Sequence, residues 1–311
     1  MSLLSGQTVM KYIDKDKYEP YAVEILKEGW ECTLEDGTSA PINKNDFSLE
    51  IEDTVITFDC AFNTIHGTPG ENGLMQAYLE LVGVPQTACD FYQAALTFNK
   101  RDCISVLKPY GIKTATNFYL NKGDFIDVEA IIETVGLPCF VKANKAGSSF
   151  GVFKVYTKEE LPEAIAKSFK EDDEIIIESF LDGVEVSVGV INYNGEVIAL
   201  PVTEIVSEND FFDYEAKYQG KSQEITPARI TEAQTKTVQD IAVQVFKVLK
   251  LKGITRSEFI FHNDEPHFLE VNTTPGLSPA SIIPQQAMAA GISLKKLFSS
   301  VIEASIKHKS K

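Results

Sequence analysis

The chain is 311 residues long, with 44% hydrophobic and 24% charged residues, the proportions of a globular protein large enough for two or three cores. Its formal net charge of −16 argues against nucleic acid or an anionic membrane as partner, while leaving room for an anionic substrate in a local basic pocket. Five scattered cysteines with no Cys-x-x-Cys pair fit a reducing, cytoplasmic compartment, no apolar run reaches the roughly 18 residues of a membrane span, and no secretory leader is evident.

In chain order, the pattern predicts a helix from Gly6 to about Ile13, a strand over Tyr21–Leu26 and a short buried strand at Val55–Phe58. A helix follows over Leu74–Val82 and stops at Gly83. Strand, glycine-bearing loop and helix in alternation predict an α/β layer on a parallel sheet. Within it, His66-Gly-Thr-Pro-Gly-Glu71-Asn-Gly73 sets a glycine-rich loop at a helix N-terminus, which suits a carboxylate or phosphate. His66 there reads as a substrate contact or as a structural histidine.

Helices are expected over Phe91–Leu96 and Lys100–Leu107, and strands over Phe140–Ala143 and Phe153–Tyr156 around a Gly-Ser-Ser loop. Small residues let backbone N–H groups approach a phosphate, and Lys142 sets a charge beside it; a plain glycine hairpin reads the same way. Lys100 alone reads as a solvated charge. Thr157 and Glu160 form a capping box for a helix over Leu161–Phe169. An isoleucine-rich strand, Glu174–Glu178, precedes the turn Leu181-Asp-Gly183 and a second sheet from Glu185. A strand end with free amides reads an adenine edge, and a nearby carboxylate holds ribose; a hinge with two solvated acids is the plainer alternative. Boundaries are expected near 88 and 182. Ser207–Pro227 is polar and aperiodic, as a lid would be, and would bring Lys217 and Tyr218 onto a substrate. Thr231–Leu249 and Leu294–Ser305 read as helices.

The most informative stretch is residues 254–276. Two strands, 254–262 and 266–272, flank the turn Asn263-Asp-Glu265. Placing Phe259 and Phe261 in the core with Leu269 and Val271 pairs Phe259 with Leu269. It thereby sets Glu258 opposite Glu270 and Arg256 opposite Asn272 on the other face. Two opposed acids repel, and a hard divalent cation removes that cost; a solvated polar face is the alternative. Thr274-Pro-Gly276-Leu-Ser278 follows, with Ser281 near a helix start, so its N–H groups form an oxyanion hole or a simple Pro-Gly turn.

Taken together in this order, the motifs resemble those of the ATP-grasp enzymes, and within them the D-alanine–D-alanine ligases. The resemblance rests on His66–Gly73, Lys100, Val141-Lys142 with Gly147-Ser148-Ser149 and Gly151, Ile177-Glu178, Glu185, Asp213–Tyr218, Arg256, Glu258, Glu270–Gly276 and Ser281–Pro284, and spans nearly the whole chain. It implies an α/β protein of three parts: an N-terminal parallel α/β domain over 1–88, a central ATP-grasp domain over 89–182 and a catalytic ATP-grasp domain over 183–311. It implies ATP held by Lys100, Lys142, Glu178, Glu185 and Lys217, and two Mg²⁺ (or Mn²⁺) ions on Glu258, Glu270 and Asn272. Arg256 and the Gly276 amide would stabilise an oxyanion, and Ser148 and Tyr218 would orient the first D-alanine. His66 and Ser281 would contact substrate. A tyrosine at 218 goes with dipeptide rather than ester formation, and the resemblance suggests a homodimer.

Three departures stand out. Glu258 replaces an aspartate, Asn72 replaces an aspartate, and Met1–Val9 matches a point the family reaches after a strand, a glycine-serine loop and a substrate-binding glutamate. Absence of these would bare a sheet edge and leave the first substrate's ammonium short of a counter-charge. A truncated chain, an impaired or non-catalytic homologue, or a ligase for another acceptor are the readings this admits.

Overall fold

The computed structural model describes all residues except 35, 148–149, 208–221 and 310–311. Among the described residues, the strands form three sheets.

The first sheet runs β1 (Ala22–Ile25), β2 (Trp30–Thr33), β3 (Ser39–Asn43), β4 (Ser48–Ile51) and β5 (Thr54–Ile56), paired in that order. Every pair is antiparallel, which corrects the expected parallel layer. The connections 26–29, 34–38, 44–47 and 52–53 are far shorter than the crossover of about a dozen residues that parallel strands need. Asp46 turns the chain back by accepting from the Ser48 N–H at 3.0 Å, with Phe47 at φ 59°. A single parallel bridge, Ala61 to Gln86, lies beside this sheet. Its core gathers Cys32, Ile42, Phe47 and Leu49 with Met75 and Leu79 of α2 (Leu74–Leu81). Helix α1 (Ser2–Tyr12) begins earlier than expected and packs elsewhere: its Val9 joins Leu297, Phe298 and Val301 near the chain's end.

After α3 (Phe91–Phe98) and α4 (Lys100–Leu107) comes the second sheet, ordered β6 (Asn117–Asn121), β9 (Glu174–Ser179), β7 (Cys139–Ala143), β8 (Val152–Val155). Helices α5 (Val128–Val135) and α6 (Leu161–Ser168) cover it, burying Ile131, Val135, Leu161 and Ile165 against Val141, Ile175 and Ile177. The capping box of Thr157 and Glu160 is present and opens a short 3₁₀ turn before α6.

The third sheet runs β13 (Ser222–Ile225), β12 (Thr203–Ser207), β10 (Gly183–Tyr193), β14 (Ile254–His262), β15 (Glu265–Asn272), with β11 (Glu196–Ala199) on β10. Helix α7 (Glu232–Val248), capped reciprocally by Thr231 and Gln234, lays Val238, Ala242 and Val245 on it. Two further helices, α8 (Ile282–Ala289) and α9 (Leu294–Lys309), close the chain. The second and third sheets meet where Phe268 N–H donates to Lys113 C=O at 2.7 Å. Among the described residues no helix is long and apolar enough to cross a membrane.

Candidate active site

The β14–β15 hairpin sets Arg256 opposite Asn272 and Glu258 opposite Glu270, the register that alternation predicts. Beyond Glu258 the register shifts, and Phe259 pairs with Phe268 instead of Leu269. The expected Phe259–Leu269 pair is therefore wrong: a β-bulge takes up Leu269, which is half-buried, while Phe268 is 1% exposed. The rings of Phe259 and Phe268 meet edge to face with centres 5.8 Å apart. One extra residue thus lets both the acids and the phenylalanines keep their required faces.

Three basic side chains converge on the acidic pair. Arg256 Nε donates to Glu258 Oε1 at 2.6 Å, and Lys100 Nζ lies 3.5 Å from Glu270 Oε2 while donating to Ala146 C=O at 2.7 Å. Lys142 Nζ donates to Glu178 Oε2 at 2.6 Å, from β7 to β9. Burial alone would pull the Lys142 ammonium down, but Glu178, Glu270 and Glu185 outweigh it and hold its pKa above the usual lysine value. Arg256 is held above its usual value in the same way, against burial, by Glu258, Glu224 and Glu270. Lys100 is therefore no solvated charge. Glu185 pairs with Ile260 and Ser187 with Glu258, which sets Glu185 on the face of the hairpin acids, and Glu178, Glu185 and Glu270 all act on Lys142 in one cleft. Asn272 Nδ2 is buried without a hydrogen-bond partner, so nothing pins the amide and its Oδ1 is able to turn inward. Among the described residues no three His, Cys, Asp or Glu side chains gather as a metal site; the ladder supplies two acids and this amide.

The glycine loop closes a second side. Buried Ser5 joins three segments: its Oγ lies 3.3 Å from His66 Nε2 and accepts from Leu277 N–H at 3.0 Å. Burial lowers the pKa of His66 to about 4, helped by the chain's amino terminus and Arg256, so the ring is neutral at neutral pH. Burial pushes the Glu71 carboxyl up to about 7 despite the Gly67 N–H donated to it at 2.6 Å, and Glu270 adds to the rise. Gly276 packs close to Ser281: an added Cβ would stand 2.8 Å from its Oγ. Ser281 in turn opens α8 and shares a hydrogen bond with Ser278 Oγ at 2.8 Å.

Ser148, Lys217 and Tyr218 lie outside the described residues. Three participants escaped the sequence reading. Ser5 and Glu71 sit in segments read for other residues. Glu224, on β13, couples to Arg256 and Glu258 and is raised by burial, although it falls within the stretch read as a lid. A lone acid in a polar stretch carries no signal that a sheet will bury it.

A cleft between a four-stranded and a six-stranded antiparallel sheet, with lysines from one side and paired acids from the other, is that of the ATP-grasp ligases. Family models for the D-ala D-ala ligase N-terminus and C-terminus match residues 1–89 and 106–303. A curated D-alanine–D-alanine ligase of Christiangramia forsetii is 66% identical over 309 residues, covering 99% of this chain and 95% of that protein. The solved D-alanyl-alanine synthetase A of Vibrio cholerae superposes with a TM-score of 0.87 at 26% identity, covering 98% of this chain and 94% of the other. A Bacillus anthracis D-alanine–D-alanine ligase complexed with ATP superposes at 0.79 and 27% identity, over 99% and 93%. The chain belongs to the D-alanine–D-alanine ligase family.

Proposed function

We propose that the chain is an ATP-dependent ligase that joins two D-alanines into D-alanyl-D-alanine for peptidoglycan precursors, in the cytoplasm and as a homodimer. The observation that carries this reading is the paired-acid ladder Glu258/Glu270 ringed by Arg256, Lys100 and Lys142, in a chain whose near relatives bear that activity in their names. Residues 1–88 serve as the substrate-binding domain, 89–182 as the central domain and 183–311 as the catalytic domain.

In the first step a carboxylate oxygen of one D-alanine attacks the γ-phosphorus of ATP; that O–P bond forms as the bond to ADP breaks, giving an acyl phosphate. In the second, the deprotonated amine of another D-alanine attacks the acyl carbon, and the C–O bond to phosphate breaks. Lys142 and Lys100 hold phosphate oxygens, and Lys217 adds a third charge. Glu178 and Glu185 hold adenine and ribose. Arg256 and the Gly276 N–H face the oxyanion of the tetrahedral intermediate. Ser148 and Tyr218 orient the first substrate beside a neutral His66, and Ser281 takes the carboxylate of the second. Two Mg²⁺ (or Mn²⁺) ions on Glu258, Glu270 and Asn272 would neutralise charge on the transferring phosphoryl group. The two opposed acids and the unpinned Asn272 amide fit such ions.

The test is a reaction of the full chain with ATP, Mg²⁺ and D-alanine. ADP, phosphate and dipeptide in equal amounts are expected, with Glu270→Gln slower by about a hundredfold or more. No D-alanine-dependent ADP would support a non-catalytic homologue instead. Faster ester formation with D-lactate at neutral pH would overturn D-alanine as the acceptor.

A further inference from the structure

The far end of the β14–β15 hairpin carries chemistry that the ligase reaction does not use. His262 and His267 share one face there, diagonal across the ladder, because His262 pairs with Glu265 while His267 pairs with Ile260. Their ring centres are 5.6 Å apart and their planes 79° apart. Each Nδ1 lies 3.0 Å from a backbone carbonyl: that of Asp182 for His262, and that of Glu265 for His267. A carbonyl oxygen only accepts, so Nδ1 carries the proton in both rings. In the neutral imidazole the lone pair is then on Nε2, in both. A backbone carbonyl on Nδ1–H is the arrangement that fixes the ring and raises the basicity of a metal-binding Nε2. Two imidazoles sharing an ion at about 2.0–2.1 Å have ring centres roughly 5–6 Å apart, and the observed spacing lies in that range.

We propose that His262 and His267 together bind one borderline divalent transition-metal ion, of the Zn²⁺, Ni²⁺ or Cu²⁺ class, with water completing its shell. Imidazole selects these ions over Mg²⁺, so the site is distinct from the oxygen-rich ladder at Glu258 and Glu270. The register also gives it a consequence. Glu185, Ile260 and His267 lie in one row across the sheet, and His262 holds the carbonyl of Asp182 in the β9–β10 connection. An ion on Nε2 polarises the ring and strengthens its grip on that carbonyl, bracing the link between the two sheets. Under the proposed ligase reading, and only for this consequence, the braced hinge raises the KM for ATP.

The binding test does not depend on activity. Zn²⁺ is titrated calorimetrically into the full chain with Mg²⁺ present throughout. His262→Asn and His267→Asn are compared with it, because the Asn amide keeps an N–H near the Nδ1 position while removing Nε2; circular dichroism confirms that each folds. One Zn²⁺ per chain is expected, with each variant weakened at least about tenfold, since one remaining imidazole loses the intramolecular second contact. Unchanged affinity in either variant overturns the shared site. In steady-state assays Zn²⁺ should raise the KM for ATP in the native chain and not in the variants; an equal effect in all three refutes the hinge consequence and leaves the binding result standing on its own.

Discussion

Glu71 is a carboxylic acid whose protonation the fold decides. Burial sets its pKa at about 7, above the ordinary value of 4.5. A raised acid contributes full stability below the unfolded value, and loses that contribution as pH rises through the folded one. The ligand-free chain should therefore lose thermal stability between about pH 4.5 and 7 on this account, and Glu71→Gln should flatten that fall. Unfolding midpoints at several pH values decide it; identical slopes in both proteins would refute the assignment. The residue types that gather in the candidate site were readable in advance, since opposed acids, glycine loops and lysines stand out by type and order. Their ionisation was not. Glu71 is raised, His66 is lowered, and Lys142 is held charged, because segments distant in sequence bury them together.

At the level of the strand and turn, alternation was enough to pair Glu258 with Glu270 and Arg256 with Asn272. It missed the bulge because a period of two has no place for an extra residue, and Leu269 looks like any core leucine. The bulge makes a sharp prediction. Inserting one residue between Glu258 and Phe259 would give Leu269 a partner, restore a plain ladder and bring Phe259 and Phe268 onto the face of the acids. Either the phenylalanines or the acids must then leave their side, and an acid so buried without its partner costs about 3–5 kcal/mol, so the insertion should unfold readily and form no dipeptide. Leu269→Ala, which keeps the count, should stay folded and active. Denaturant titrations with dipeptide assays separate the two, and an active insertion would contradict the register. The first sheet failed differently: its short strands lie between Asx turns, and without counting those turns the glycines read as crossover loops.

Across the whole molecule, the part that carries the first sheet meets the third sheet along one seam at residues 87–90 and 252–253. Gly253 has φ +68°, and an added Cβ would stand 2.0 Å from Thr87 C=O, while Lys252 pairs with Asp90 at 2.7 Å. Gly253→Ala must then push the 87–90 segment away or distort its own backbone, at a cost of about 1–3 kcal/mol. Trp30, the single tryptophan, reports on the first sheet alone. In urea its fluorescence transition in Gly253→Ala should precede the loss of helical circular dichroism, and coincident transitions would show that the seam is not the weak point.

The ion pairs of the cleft have one more implication. Glu258 already has Arg256 against it, and Glu270 has Lys100. Any cation these acids took up would compete with those side chains for the carboxylate charge, and under the proposed function a loosened Arg256 and Lys100 would stand beside the phosphoryl oxygens. Loading and arming would then be coupled, and a nucleotide arriving without its ions would find both cationic side chains still engaged by their acids.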